Sequence, residues 1–110
     1  MKKTYSICIA NYNMSETLIA SLESVLNQID EKYEVIVVDD GSADNSVEKL
    51  LKLRQNYANL RVIPLLRDSR RKLGETRNIS IRAARGKYVI LHIDADDIWE
   101  PYINLSLIHI

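Results

Sequence analysis

Carboxylates crowd two short stretches of this chain, and each stretch directly follows an apolar run. Asp94-Ala95-Asp96-Asp97 follows Tyr88–Ile93, and Asp39-Asp40-Gly41-Ser42 follows Val35–Val38. A third polar cluster, Asn11-Tyr12-Asn13, follows Tyr5–Ala10 in the same way. If these runs are parallel strands, all three clusters meet at one edge of a sheet, where open α/β sheets bind ligands. Five carboxylates in one cleft repel one another unless a cation neutralises them. Hard cations such as Mn2+ or Mg2+ favour carboxylate oxygens and keep positions for phosphate and water. The residues therefore point to a metal-assisted site for a phosphorylated ligand. A solvated acidic turn capping the next element is the plainer reading of Asp94–Asp97 taken alone.

Asp39-Asp40-Gly41-Ser42 also suits a turn with an N-cap, since all three residue types favour turns. One acid suffices for a cap, and the second is free to accept from a base N–H or a ribose hydroxyl. Arg67, Arg70, Arg71, Lys72 and Arg77 gather before and at the start of a helical segment. Arginine reads phosphate through its planar fork, and a helix N-terminus adds a favourable dipole. For most of this cluster a solvated basic loop is the simpler account; Arg77 is the member expected to function. Neither a Gly-x-Gly-x-x-Gly turn nor a phosphate-cradling Gly-x-x-x-x-Gly-Lys-Ser/Thr loop is present. With three glycines in the chain, phosphate must be met by metal and arginine. His92, in an apolar run, reads as a core residue.

The elements that would hold these groups follow from periodicity. Val35-Ile36-Val37-Val38 is the pattern of a strand buried on both faces. Tyr5–Ala10, Leu60–Leu66 and Tyr88–Ile93 are the other strands, with Pro64 placing the third at an edge or ending it early. Leu18, Leu22, Val25, Leu26 and Ile29 make Ser15–Gln28 an amphipathic helix. A second helix carries Val47, Leu50 and Leu51 and is capped by Asn45 or Ser42. A third spans Glu75–Arg85, with Gly86 at C′ and a small-residue face of Thr76, Ile79, Ser80, Ala83 and Ala84. Alternating strands and helices imply an α/β fold with a doubly wound, mostly parallel sheet.

Composition sets bounds. The chain has 110 residues, enough for one domain, and carries no net charge, with 15 basic and 15 acidic residues. Nothing in that balance favours nucleic acid or an acidic membrane surface. The single cysteine, Cys8, forms no internal disulfide and fits a reducing cytosol. No apolar run reaches the ~18 residues of a membrane span.

Taken in order, these motifs resemble the family 2 glycosyltransferases of the GT-A fold. Ile7-Cys8-Ile9-Ala10-Asn11-Tyr12-Asn13 resembles that family's first strand and turn, and Val37–Ser42 its second strand motif. Gly74-Glu75-Thr76-Arg77-Asn78 with Ala84-Arg85-Gly86-Lys87-Tyr88 resembles its Gly…Arg-Asn…Ala-x-Gly-x-Tyr stretch. Asp94-Ala95-Asp96-Asp97 resembles its DXD motif, with Pro101 where a proline often follows. The resemblance covers nearly all of residues 4–104 and makes the chain an incomplete, Rossmann-like nucleotide-binding half.

What it implies is a nucleotide-sugar donor, most often a UDP-sugar, and inverting transfer to an acceptor on a glycan, lipid or protein. Ala10, Asn11, Tyr12 and Asn13 would wrap the base. Asp40 would contact uracil, and Asp39 would support that contact or the ribose. Lys72 and Arg77 would lie near the diphosphate. Asp94, Asp96 and Asp97 would hold Mn2+ or Mg2+, with Asp94 and Asp96 also near the donor. The general base belongs to a part beyond the DXD motif, so the 110 residues alone are expected to be inactive. The cysteine usage sets the expected location as cytoplasmic, at the inner face of a membrane if the full-length protein reaches one. A non-catalytic nucleotide-sugar-binding or regulatory module is the alternative.

Leu105-Ser106-Leu107-Ile108-His109-Ile110 matches one reading frame of a transposon end sequence used to fragment DNA for sequencing libraries. Residues 1–104 are therefore expected to form the partial domain and 105–110 a non-native tail, with His109 inside it.

Overall fold

The computed structural model describes residues 4–13, 15–92 and 107–109. The elements alternate: β1 (Tyr5–Asn11), α1 (Ser15–Leu26), β2 (Tyr33–Asp39), α2 (Ser46–Arg54), β3 (Leu60–Pro64), α3 (Leu73–Ala83), β4 (Tyr88–His92) and β5 (Leu107–His109). They build one sheet in the order β3-β2-β1-β4-β5. The first four strands are parallel, and β5 runs antiparallel against β4. The expected α/β sheet of mostly parallel strands is thus the observed one. The expected third strand closes at Pro64 on the edge of the sheet, where a missing amide hydrogen is tolerated, and the Leu65 amide still donates to the Asp39 carbonyl at 2.9 Å. Residues 107–109 of the suspected tail pair with Tyr88–Ile90.

Aliphatic side chains on both faces of β1 and β2 divide the core in two. Ile7, Ile9, Val35 and Val37 pack with Leu18, Leu22 and Val25 of α1 and Leu50 and Leu53 of α2. Cys8, Ile36, Val38 and Val89 face the other way, against Ile79, Ile81 and Ala83 of α3. Two helices therefore cover one face and the third covers the other. The small side chains of Thr76 and Ser80 are buried as expected. Burial pushes the Cys8 thiol up to about 11, although a hydrogen bond with Ser80 acts in the opposite sense; a thiol so held is a packing group rather than a nucleophile.

The chain moves outward from β1 to β2 to β3 and then returns across the sheet to β4. The reversal lies between β1 and β4, and ligands of doubly wound sheets bind beyond the carboxyl ends of the strands at such a point. At the amino edge Tyr5, Tyr33 and Tyr88 share one row and stack, with ring centroids 4.7 and 5.7 Å apart.

Two expected caps differ. Asn45 is the N-cap residue of α2 but makes no side-chain cap bond. Asp44 serves instead, its Oδ1 accepting from the Ser46 amide at 3.0 Å and from the Ser46 hydroxyl. Gly86 is not a left-handed C′ residue, for α3 closes at Ala84 and Gly41 is the glycine at positive φ among the described residues. Gly86 is required by close approach: a Cβ there would lie 2.7 Å from both Ser6 Oγ and the Tyr5 carbonyl carbon.

Candidate functional site

Register aligns the first two polar clusters. Asn11 ends β1 directly opposite Asp39, which ends β2. Asp39 is fully buried, and its carboxylate is consumed by its neighbours. Oδ1 accepts from Asn11 Nδ2 at 2.8 Å and from the Ser42 hydroxyl at 2.7 Å, while Oδ2 accepts from the Ser42 amide at 2.9 Å. Those three bonds fasten the turn after β2 to the end of β1. Ser42 Oγ also accepts from the Asn13 amide at 2.9 Å. Asn13 adopts φ +53°, a conformation asparagine tolerates better than most residues. From there its Oδ1 accepts from the amides of Ala43, at 2.7 Å, and Asp44, at 3.2 Å. Ala10, Asn11, Tyr12, Asn13, Asp39 and Asp40 are thereby brought to one edge, as the sequence suggests.

Asp40 differs from Asp39. Its side chain is 14% exposed and receives Nη1 of Arg67 at 2.9 Å and Nη1 of Arg71 at 2.5 Å, one on each oxygen. The Arg71 guanidinium also donates to the Leu66 carbonyl at 3.0 Å. Arg67 lies over the ring of Tyr12, 4.1 Å from its centroid, within cation–π range. Gly41, at φ +71°, lets the segment after β3 come this close, since a Cβ there would overlap the Arg67 backbone. Pairing of Arg67 and Arg71 with Asp40 is absent from the sequence reading, which treats most of the cluster as solvated. The available signal is position: Arg67 lies three residues past β3, whose end neighbours Asp39 in the sheet.

Arg71 leads directly into α3. Lys72 is the exposed N-cap residue of that helix, without a side-chain cap bond. Arg77 is half-buried one turn further along, and its Nε finds no partner among the described residues. The same is true of Thr76 Oγ1 and Asn11 Oδ1. The fold thus puts Lys72 at the start of the helix reached through Arg71, and Arg77 within it. Asp94, Asp96 and Asp97 lie outside the described residues. Among the described residues no group of three His, Cys, Asp or Glu side chains could hold a metal ion, and no helix is long and apolar enough to cross a membrane.

The chain is similar to several known proteins. The chain is 36% identical over 96 residues to the chondroitin synthase of Escherichia coli, covering 87% of this chain and 13% of that protein. It is 32% identical over 94 residues to an Escherichia coli UDP-Glc:alpha-D-GlcNAc-diphosphoundecaprenol beta-1,3-glucosyltransferase, covering 86% of this chain and 36% of that one. The structure of S. aureus TarS 1-349 in complex with UDP-GlcNAc superposes with a TM-score of 0.75 at 32% identity, over 86% of this chain and 27% of that chain. The chain therefore spans well under half the length of these relatives. The profile of Glycosyl transferase family 2 matches residues 6–107, a span that takes in all four strands of the parallel sheet but the first residue of β1, and the chain belongs to that family.

Proposed function

We propose that residues 1–104 are the donor-binding part of an inverting, metal-dependent glycosyltransferase that takes its sugar from a nucleotide-sugar, namely a UDP-sugar. The observation that carries this reading is the juxtaposition of Asp40 and the exposed ring of Tyr12 at the carboxyl edge of the sheet. A pyrimidine lying on Tyr12 offers its ring N–H to Asp40. Asp39, spent on Asn11 and Ser42, fixes the turn that presents Asp40 and acts on the donor only through it. This is supported by two similar proteins above 30% identity, one named as a UDP-Glc glucosyltransferase and one solved in complex with UDP-GlcNAc.

Arg77 and Lys72, near the amino end of α3, supply positive charge for the diphosphate. Asp94, Asp96 and Asp97 offer the hard oxygen donors that Mn2+ or Mg2+ requires; when bound, the ion supplies Lewis-acid charge to the leaving diphosphate. In the transfer, an acceptor hydroxyl oxygen bonds to the anomeric carbon from the face opposite the diphosphate. The bond from that carbon to the diphosphate oxygen breaks, and UDP departs with the electron pair. The hydroxyl proton passes to a carboxylate base located beyond residue 104.

Calorimetry on the full-length gene product tests the reading. UDP affinity is expected to fall at least about tenfold on chelation of divalent metal and again in Asp96→Asn. Unchanged affinity in both removes the metal role, and a silent Asp96→Asn alone shifts it to Asp94 or Asp97.

We further propose that residues 105–110 are a non-native tail. A three-residue antiparallel edge strand adds little to a sheet already four strands wide, and deleting these residues should leave unfolding free energy within ~1 kcal/mol. A cooperative loss of several kcal/mol identifies the tail as a native element.

A further inference from the structure

Arg67 reproduces the chemistry of the base that the proposed function assigns to the same place. Its guanidinium is flat, lies 4.1 Å from the Tyr12 ring centroid and points an N–H at Asp40 Oδ2, 2.9 Å away. A pyrimidine imide offers the same two features: a planar face to stack and an in-plane N–H to donate. The two arginines on Asp40 are not equivalent. Arg71 is 18% exposed and anchored at a second acceptor, the Leu66 carbonyl. Arg67 is 43% exposed, and its guanidinium bonds Asp40 and lies over Tyr12. Its backbone is fixed against Gly41, so only the side chain has to swing into solvent.

We propose that Arg67 is an internal stand-in for the nucleotide base, occupying the Tyr12–Asp40 slot in the free protein and displaced when the base enters. This rests on the donor-site reading and adds a cost to it. Base binding exchanges one stacked, hydrogen-bonded planar group for another, so Arg67 weakens binding while it keeps Asp40 neutralised in the empty site. Arg71 stays on Asp40 in both states.

Displacement and simple charge attraction predict opposite signs. If Arg67 only attracts the anionic donor, Arg67→Ala weakens UDP. As a stand-in, its removal frees the slot. Calorimetry on the full-length gene product, with Mn2+ present, should show uridine and UDP binding roughly five- to tenfold more tightly to Arg67→Ala, the scale of one exposed cation–π contact plus one exposed ion pair. Pyrophosphate, which has no base, should bind as before. Arg67→Lys keeps the charge without the plane and should fall between; it also decides the matter should the alanine variant fail to fold. Uridine binding that is equal or weaker in the folded variants overturns the stand-in role and leaves the donor site intact. No binding of uridine or UDP by wild type or either variant overturns both.

Discussion

Replacing Glu34 by alanine is expected to destabilise the fold by about 3–5 kcal/mol, the range for breaking a buried ion pair from one side. Glu34 is 2% exposed and sits in the sheet directly opposite Ser6. Its oxygens accept from Ser6 Oγ and the Arg85 amide, each at 2.6 Å, and from Arg61 Nη1 at 2.9 Å. Arg61 also donates to the Ala83 carbonyl at 2.8 Å, and the Gly86 amide donates to Ser6 Oγ at 2.8 Å. One carboxylate therefore ties β1, β2 and β3 to the turn between α3 and β4. Burial pushes the Glu34 carboxyl up, but the hydrogen bonds from Ser6, Arg85 and Arg61, with the Arg61 charge, outweigh it and hold the group below its usual 4.5. A folded-state value below the unfolded one means that this stabilisation is complete above the ordinary glutamate range and is lost as pH falls through the lower folded value. Urea unfolding at neutral pH and near pH 3.5 checks both statements: Glu34→Ala should be destabilised at neutral pH, and its acid sensitivity should shrink. An alanine variant as stable as wild type would mean that the network contributes nothing net.

A Gly41→Ala variant is expected to lose about 3–5 kcal/mol and to release the loop that carries Arg67 and Arg71. Two penalties combine. The left-handed backbone, φ +71°, costs a residue with a Cβ roughly 1–3 kcal/mol. The new methyl also falls within 2.5 Å of the Arg67 Cα, an overpacking against the Arg67 backbone worth about 1–3 kcal/mol. Gly41→Asn separates them. Asparagine tolerates the left-handed region but keeps the clash, so it should recover only part of the loss in thermal unfolding. Full recovery with asparagine would assign the whole effect to backbone conformation.

Much of the architecture was legible from periodicity. The β-branched run Val35–Val38 could be buried only in a central strand, and the helical spacing of Leu18, Leu22 and Val25 could face only one side. The edge that gathers Asn11–Asn13 with Asp39 and Asp40 followed from parallel strands alone. What periodicity does not carry is long-range pairing. Arg67 and Arg71 reach Asp40 across 27 and 31 residues, and no local pattern distinguishes a paired arginine from a solvated one. Glu34 escaped notice because it opens an apolar run, where a charge reads as a solvated strand end. Its signal was alternation: Ser6 and Glu34 pair, Arg61 pairs with Ile36 two residues on, and all three side chains fall on the α3 face. Asp39 and Asp40 looked alike in sequence. Burial separates them, the first into scaffold and the second into a group open to a partner.

The order β3-β2-β1-β4 also governs how the chain assembles as it is made. Strand β1 is synthesised first, yet it lies between β2 and β4. A growing chain can close β1, β2 and β3 early, but the other edge of β1 stays unpaired until Tyr88–His92 has emerged. Until then Ile7, Cys8 and Ile9 belong to an open strand with apolar side chains, the kind of edge that invites pairing with another chain. The contact that ends this interval, the Gly86 amide on Ser6 Oγ, spans 80 residues. Loop closure over such a separation is slow relative to local structure. Ribosomal pausing between β3 and β4 thus lengthens the period of greatest aggregation risk, whereas pausing after β4 does not.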